Sequence, residues 1–109
     1  MDEDSTIAAF AAISNVTRFR ILKTLVAQGP AGMTAGDIAQ AVGASPSRTS
    51  FHLSNMAAAK LVLSDRQSRQ ILYRVDFEAI GQMLSYFMQD CCANNQVVRS
   101  CCVGNGSGC

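Results

Sequence analysis

Residues 34–62, TAGDIAQAVGASPSRTSFHLSNMAAAKLV, hold the pattern that decides the fold. Thr34 is a helix-capping residue with Asp37 in the capping-box position, and Ile38, Ala39 and Val42 follow at helical spacing. Gly43 closes that helix. Ser45-Pro46 opens the next one, because serine caps and proline suits the first helical position, where no N–H is needed. Leu53 and Met56 define its inner stripe, and Ala57 and Ala58 allow close packing. Ser47, Arg48, Thr49, Ser50, His52 and Asn55 are expected on its exposed side. Two helices joined by the short turn Gly43-Ala44-Ser45 meet the requirement of a helix-turn-helix.

Upstream, Ser5 to Ile13 reads as a short helix with Ile7, Phe10 and Ala11 on one side. Asn15 caps a second helix whose stripe is Val16, Phe19, Leu22, Leu25 and Val26, and Gly29-Pro30 ends it. Downstream, Leu61 to Asp65 and Gln70 to Val75 have strand composition, with Ile71, Tyr73 and Val75 alternating to one face. The polar link Arg66-Gln67-Ser68-Arg69 makes them a hairpin with a basic tip. A last helix runs from Phe77 to about Cys92 and carries Ile80, Leu84, Phe87, Met88 and Cys91 on one stripe. The expected fold is mainly α (α+β): a winged helix-turn-helix of about five helices with a two-stranded wing. Residues 1–93 form its DNA-binding and dimerisation domain, and 94–109 a flexible cysteine-containing tail.

The chain has 109 residues, 49% of them hydrophobic and 16% charged, so it is one small globular domain rather than a disordered one. Its net charge of +1 is uneven, with eight basic and two acidic residues between Ser5 and Val75. A basic body of this kind suits a polyanion. Ser45, Ser47, Arg48, Thr49, Ser50, His52 and Asn55 are the candidate contacts to base edges and phosphates in a major groove, with Arg66 and Arg69 gripping the backbone from the hairpin. The acidic start Met1-Asp2-Glu3-Asp4 is unlike a secretory signal, and no apolar run approaches the roughly 18 residues of a membrane span. A cytoplasmic protein with no membrane partner is expected. One histidine beside no nucleophile, and no glycine-rich phosphate loop, leave no active site to assemble, so no enzyme and no catalytic cofactor are expected.

The stretches Ser14-Asn15-Val16-Thr17-Arg18-Phe19-Arg20-Ile21-Leu22 and Ser50-Phe51-His52-Leu53, continuing to Val62, resemble the ArsR/SmtB family of metal- and metalloid-responsive repressors. The resemblance covers about residues 5 to 92. It implies a homodimer built on the first and last helices, with Phe10, Ile80, Leu84, Phe87 and Met88 in the seam. It also implies double-stranded operator DNA as partner and release when an inducer binds. Lys60 departs from the family's usual glycine, so the helix is expected to end without a residue suited to positive φ. The third helix lacks the Cys-x-Cys pair of many family sensors, and no histidine follows Asp76 to complete a zinc site on the last helix.

The five cysteines all fall in the last nineteen residues: Cys91, Cys92, Cys101, Cys102 and Cys109. A structural disulfide framework spreads its cysteines through the fold, so this clustering points to a soft ligand or to redox chemistry. Arsenical sensors of the family that carry a vicinal cysteine pair at the end of the last helix resemble this arrangement. A monomethylated trivalent arsenical takes two thiolates and inorganic arsenite three. Cys101-Cys102, with no packing role in a polar tail, is the favoured pair, and Cys91 and Cys92 are candidates for additional or cross-chain ligands. The expected inducer is a trivalent arsenical, with methylarsenite favoured over arsenite. The rival readings are a thiol redox-sensing winged-helix regulator and a thiol-rich metal-buffering protein.

Overall fold

A helix leaves its first backbone N–H groups unpaired, and this chain supplies a side-chain oxygen at each start that needs one. The computed structural model describes residues 1–103, apart from the side chains of residues 91, 102 and 103. It contains α1 (Glu3–Ile13), α2 (Val16–Gln28), α3 (Ala35–Val42), α4 (Pro46–Ala58) and α5 (Phe77–Tyr86). Asp2 accepts from the Ser5 N–H at 2.7 Å, Asn15 from Arg18 at 3.1 Å, and Thr34 from Asp37, Ser45 from Arg48 and Asp76 from Ala79 at 3.2 Å each. Each such cap is worth about 1 kcal/mol.

The hairpin strands are β2 (Val62–Gln67) and β3 (Gln70–Val75), paired in register from Val62↔Val75 to Gln67↔Gln70. The turn is therefore only Ser68-Arg69, with Ser68 at φ 57°, and Arg66 belongs to the strand rather than to the expected four-residue tip. A third strand, β1 (Met33–Thr34), pairs with β3 and gives an antiparallel sheet of order β1-β3-β2 where two strands were expected. Gly32 makes that pairing possible: its φ is 76°, and a Cβ there would stand 2.9 Å from the Tyr73 carbonyl oxygen.

One buried cluster joins Ile21 and Leu25 of α2 with Ile38, Leu53, Met56, Val62 and Val75; a second joins Ala9 and Ala12 of α1 with Leu61, Ala79 and Met83. Only part of the expected α2 stripe turns inward: Leu25 is buried and Leu22 packs against the core. Ile21 and Leu25 are buried, whereas Val16, Phe19 and Val26 are exposed, because the apolar residues of α2 cover more than one side and the core accepts only one.

The last expected helix also divides. After Tyr86 the backbone widens into a π turn, Phe87–Cys91, in which the Cys92 N–H donates to the Phe87 carbonyl at 3.0 Å. Ala93 and Asn94 then adopt left-handed φ values of 51° and 54°. Within the expected tail, 94–109, the described part forms α6 (Gln96–Val103), with Asn95 accepting from the N–H groups of Val97 and Val98 at 2.9 and 3.3 Å; residues 104–109 lie outside the described residues.

Candidate nucleic-acid interface and thiol end

The cap Ser45 and, in α4, Ser47, Arg48, Ser50 and Asn55 are exposed, as is the hairpin pair Arg66 and Arg69. Thr49 and His52 are not. Thr49 is completely buried with its hydroxyl lacking a hydrogen-bond partner, and His52 is 7% exposed. The expectation that these two side chains lie on the outer surface is corrected. Thr49, Leu53 and Met56 are spaced i, i+4, i+7 and so share the inner stripe, and His52 adjoins it four residues before Met56.

His52 is part of a clamp. The Arg18 Nε donates to the Ala12 carbonyl at the end of α1, and its Nη1 lies 3.3 Å from His52 Nδ1. A guanidinium has only donors, so Nδ1 must accept and the ring proton resides on Nε2. Burial pushes the His52 pKa down, and the positive charges of Arg18 and Arg48 push it the same way. The residue is a neutral joint holding the outward-facing helix to α1 and α2, where the sequence had suggested a surface contact.

On the wing, Arg74 is engaged with Asp65 at 2.8 Å, which leaves Arg66 and Arg69 as the cations of β2 and the turn outside that ion pair. One exposed residue of α4 was missed by sequence reasoning: Phe51, 67% exposed. Its signal was present, since an aromatic two residues before Leu53 cannot share the Leu53–Met56 stripe.

The expected seam residues fall into two groups. Ile80 is half-buried and packs on both core clusters, and Met88 is half-buried. Phe10 stacks at a tilt on Phe87, ring centroids 5.6 Å apart. Leu84 and Phe87 remain 49% and 41% exposed, and Ile7 of α1 is exposed as well. These are apolar side chains on α1, α5 and the π turn that the described residues leave exposed.

At the thiol end, Cys92 is a free, half-buried thiol at the exit of the π turn. Cys101 is half-buried in α6 and is disulfide-bonded. The side chains of Cys91 and Cys102 and the whole of Cys109 lie outside the described residues. Among the described residues no three His, Cys, Asp or Glu side chains gather into a metal-holding group, and no helix is long and apolar enough to cross a membrane.

With that geometry in view, residues 13–65 match a helix-turn-helix domain family. The chain is 33% identical over 82 residues to the HTH-type transcriptional regulator YgaV of Escherichia coli K12, covering 75% of this chain and 81% of that protein. Among solved structures, an ArsR-like transcriptional regulator from Rhodococcus sp. RHA1 superposes with a TM-score of 0.73 at 24% identity, covering 95% of each chain. A possible transcriptional regulator for arsenical resistance superposes with a TM-score of 0.65 at 27% identity, covering 82% of this chain and 88% of the other. The identity and coverage shared with the first, joined to the capped helix pair and wing, make the chain a member of the DNA-binding helix-turn-helix transcriptional regulators, in their winged form.

Proposed function

We propose that this regulator is a non-catalytic, cytoplasmic homodimeric repressor that binds operator DNA through α4 and the wing and leaves it when a trivalent arsenical binds its C-terminal thiolates. The observation carrying this reading is the confinement of all five cysteines to residues 91–109, directly after the elements that bear the exposed Leu84 and Phe87. Two copies joined through Ile7, Leu84 and Phe87 would bury those side chains and set the spacing of their α4 helices. The disulfide at Cys101 means that a second sulfur reaches Cys101, and in reduced form such a pair offers the two thiolates that methylarsenite needs. Cys101-Cys102 remain the favoured ligands, and Cys91 or Cys92 would complete a three-thiolate site for arsenite. Similarity to the arsenical-resistance regulator supports the inducer class.

Arsenic binding would tether α6 to the end of α5 and favour a dimer whose recognition helices no longer match successive major grooves. A coupling of about 1–3 kcal/mol suffices. The test is a titration of the reduced protein, bound to a duplex it selects from a random library, with methylarsenite, arsenite, antimonite and cadmium. Release at the lowest concentration by methylarsenite supports the reading, and indifference to every thiophile overturns it. The disulfide at Cys101 favours one second reading, a thiol redox switch. That reading expects release by a mild oxidant, reversal by a dithiol reductant, and no response to arsenicals.

A further inference from the structure

Phe51 has no role in the core. Its ring is 67% exposed, and the recorded ring contact is an edge-on approach to His52, centroids 5.7 Å apart at 67°. At 100° per residue, Phe51 stands about 150° round α4 from the mean direction of Thr49, His52, Leu53 and Met56, the buried positions. Ser47 and Ser54 share that outermost row, with Ser50 and Asn55 on its two flanks. With Arg48 as the other large side chain beside it, the aromatic ring is the one large apolar projection at the centre of the face. His52, pinned by Arg18, backs the ring on one side and limits where it can swing.

We infer that Phe51 is a specificity-determining residue that reads the 5-methyl group of thymine in the major groove. The inference rests on the DNA-reading function proposed above. Phenylalanine neither donates nor accepts a hydrogen bond, and the groove's edges are polar except for that methyl group, so the ring has one complementary partner there. A second copy of the chain is a poorer occupant. The positions around Phe51 are serine, asparagine and Arg48, whereas the exposed apolar residues that could continue an interface, Ile7, Leu84 and Phe87, lie on α1, α5 and the π turn. The exposed Arg48 and the wing arginines supply the positive charge that a duplex demands and an apolar protein partner does not.

The experiment uses the full-length reduced protein and a duplex library with a random centre. Wild type, Phe51→Ala and Phe51→Leu are each taken through selection. The wild-type consensus is then remade with deoxyuridine in place of each thymine in turn. The expected result is a thymine in each half-site that wild type and Phe51→Leu require and Phe51→Ala does not. Removing its methyl should weaken wild type about fourfold, the worth of one buried methyl group, and leave Phe51→Ala unchanged. Identical consensus and affinity for wild type and Phe51→Ala would overturn the inference while leaving the DNA-binding reading intact. Failure of wild type to select any sequence would overturn both. Sedimentation of Phe51→Ala separates the remaining outcome: a change of oligomeric state would assign the ring to protein contact instead.

Discussion

The two ends of this molecule are built on different principles. The stretch from Thr34 to Val75 is held by local devices: side-chain caps, a left-handed Gly43 after α3, and a hairpin closed by two residues. The stretch from Phe87 to Val103 keeps one such device, the Asn95 cap of α6, and adds a π turn, two successive non-glycine residues at positive φ and a disulfide at Cys101. The π turn and the left-handed residues cost of order 1 kcal/mol each and are of a kind that concentrates where a protein binds or switches, whereas the disulfide constrains the chain. The comparison suggests a rigid reading head joined to an end that can be remodelled.

The harshest break of that comparison is at the joint between the two. Phe87→Glu or Leu84→Glu places a charge among the exposed apolar side chains without touching α4. Sedimentation should show a monomer at micromolar concentration, and operator binding should fall beyond detection, because half-sites are read only by a dimer. A monomeric variant that still binds with wild-type affinity would remove the dimer from the mechanism.

Next is the separation of reading from sensing. The Cys101→Ser/Cys102→Ser variant should bind DNA as wild type does and lose release by every trivalent arsenical. Cys91→Ser and Cys92→Ser should matter more for arsenite than for methylarsenite. Sulfur-to-arsenic stoichiometry from X-ray absorption checks the count. If the double variant responds normally and the Cys91 and Cys92 variants do not, the ligands sit at the helix end.

On the reading head, Arg48→Ala should cost about 1–3 kcal/mol of operator affinity if its guanidinium reads a base. Arg69→Ala should instead weaken all sequences and lower the salt slope by about one, as for a lost phosphate contact. Equal losses on selected and random duplexes for both variants would show that Arg48 grips phosphate.

What was legible from sequence follows the same divide. Ser45-Pro46, Thr34 with Asp37, and Asn15 act within one turn of chain, so their residue types reveal the helix starts. Strand β1 is two residues long, and its existence depends on Gly32 admitting Tyr73 of a distant strand, which no local pattern records. The cap at Asn95 was in plain view, but the following Gly-Asn-Gly-Ser-Gly run made the whole segment read as a tail. Thr49 and His52 were misplaced for another reason: polar identity was given more weight than helical phase, although Thr49, Leu53 and Met56 are one stripe.

A smaller effect tests whether left-handed residues cost the two regions alike. The helix α4 ends with Lys60 at φ 65°, its N–H donating to the Ala57 carbonyl and the next N–H, of Leu61, to Met56 at 3.1 Å. The lysine thus adopts the positive φ to which it was read as poorly suited. A left-handed L-residue costs about 1–2 kcal/mol, against which glycine loses about 0.5–1 kcal/mol more chain entropy on folding. Lys60→Gly should therefore stabilise the fold by up to about 1 kcal/mol in urea denaturation. Ala93→Gly should do the same by relieving φ 51° at the thiol end. Stabilisation at Lys60 without any at Ala93 would show that the thiol end is already loose enough to escape its strain.

The finest distinction is protonation. His52 has its pKa pushed below the ordinary 6.5 by burial and by Arg18 and Arg48. Below pH 6.5 the unfolded chain binds a proton that the folded chain resists, so the unfolded state gains. The stability contributed by neutral His52 is full above pH 6.5 and is lost as pH falls from there through the folded pKa. Asp2, whose pKa is lowered from 3.8 by its cap to Ser5, acts only at lower pH and does not overlap this window. Thermal unfolding between pH 8 and pH 5 should show Tm falling on the acid side in wild type. In His52→Gln, whose amide oxygen can still accept from Arg18, that fall should be absent. If the proposed arsenical-driven release depends on the C-terminal thiols, distant in sequence from this joint, it should show the same pH profile in both proteins. A Tm curve that His52→Gln leaves unchanged would mean that the imidazole takes up its proton without disturbing the clamp.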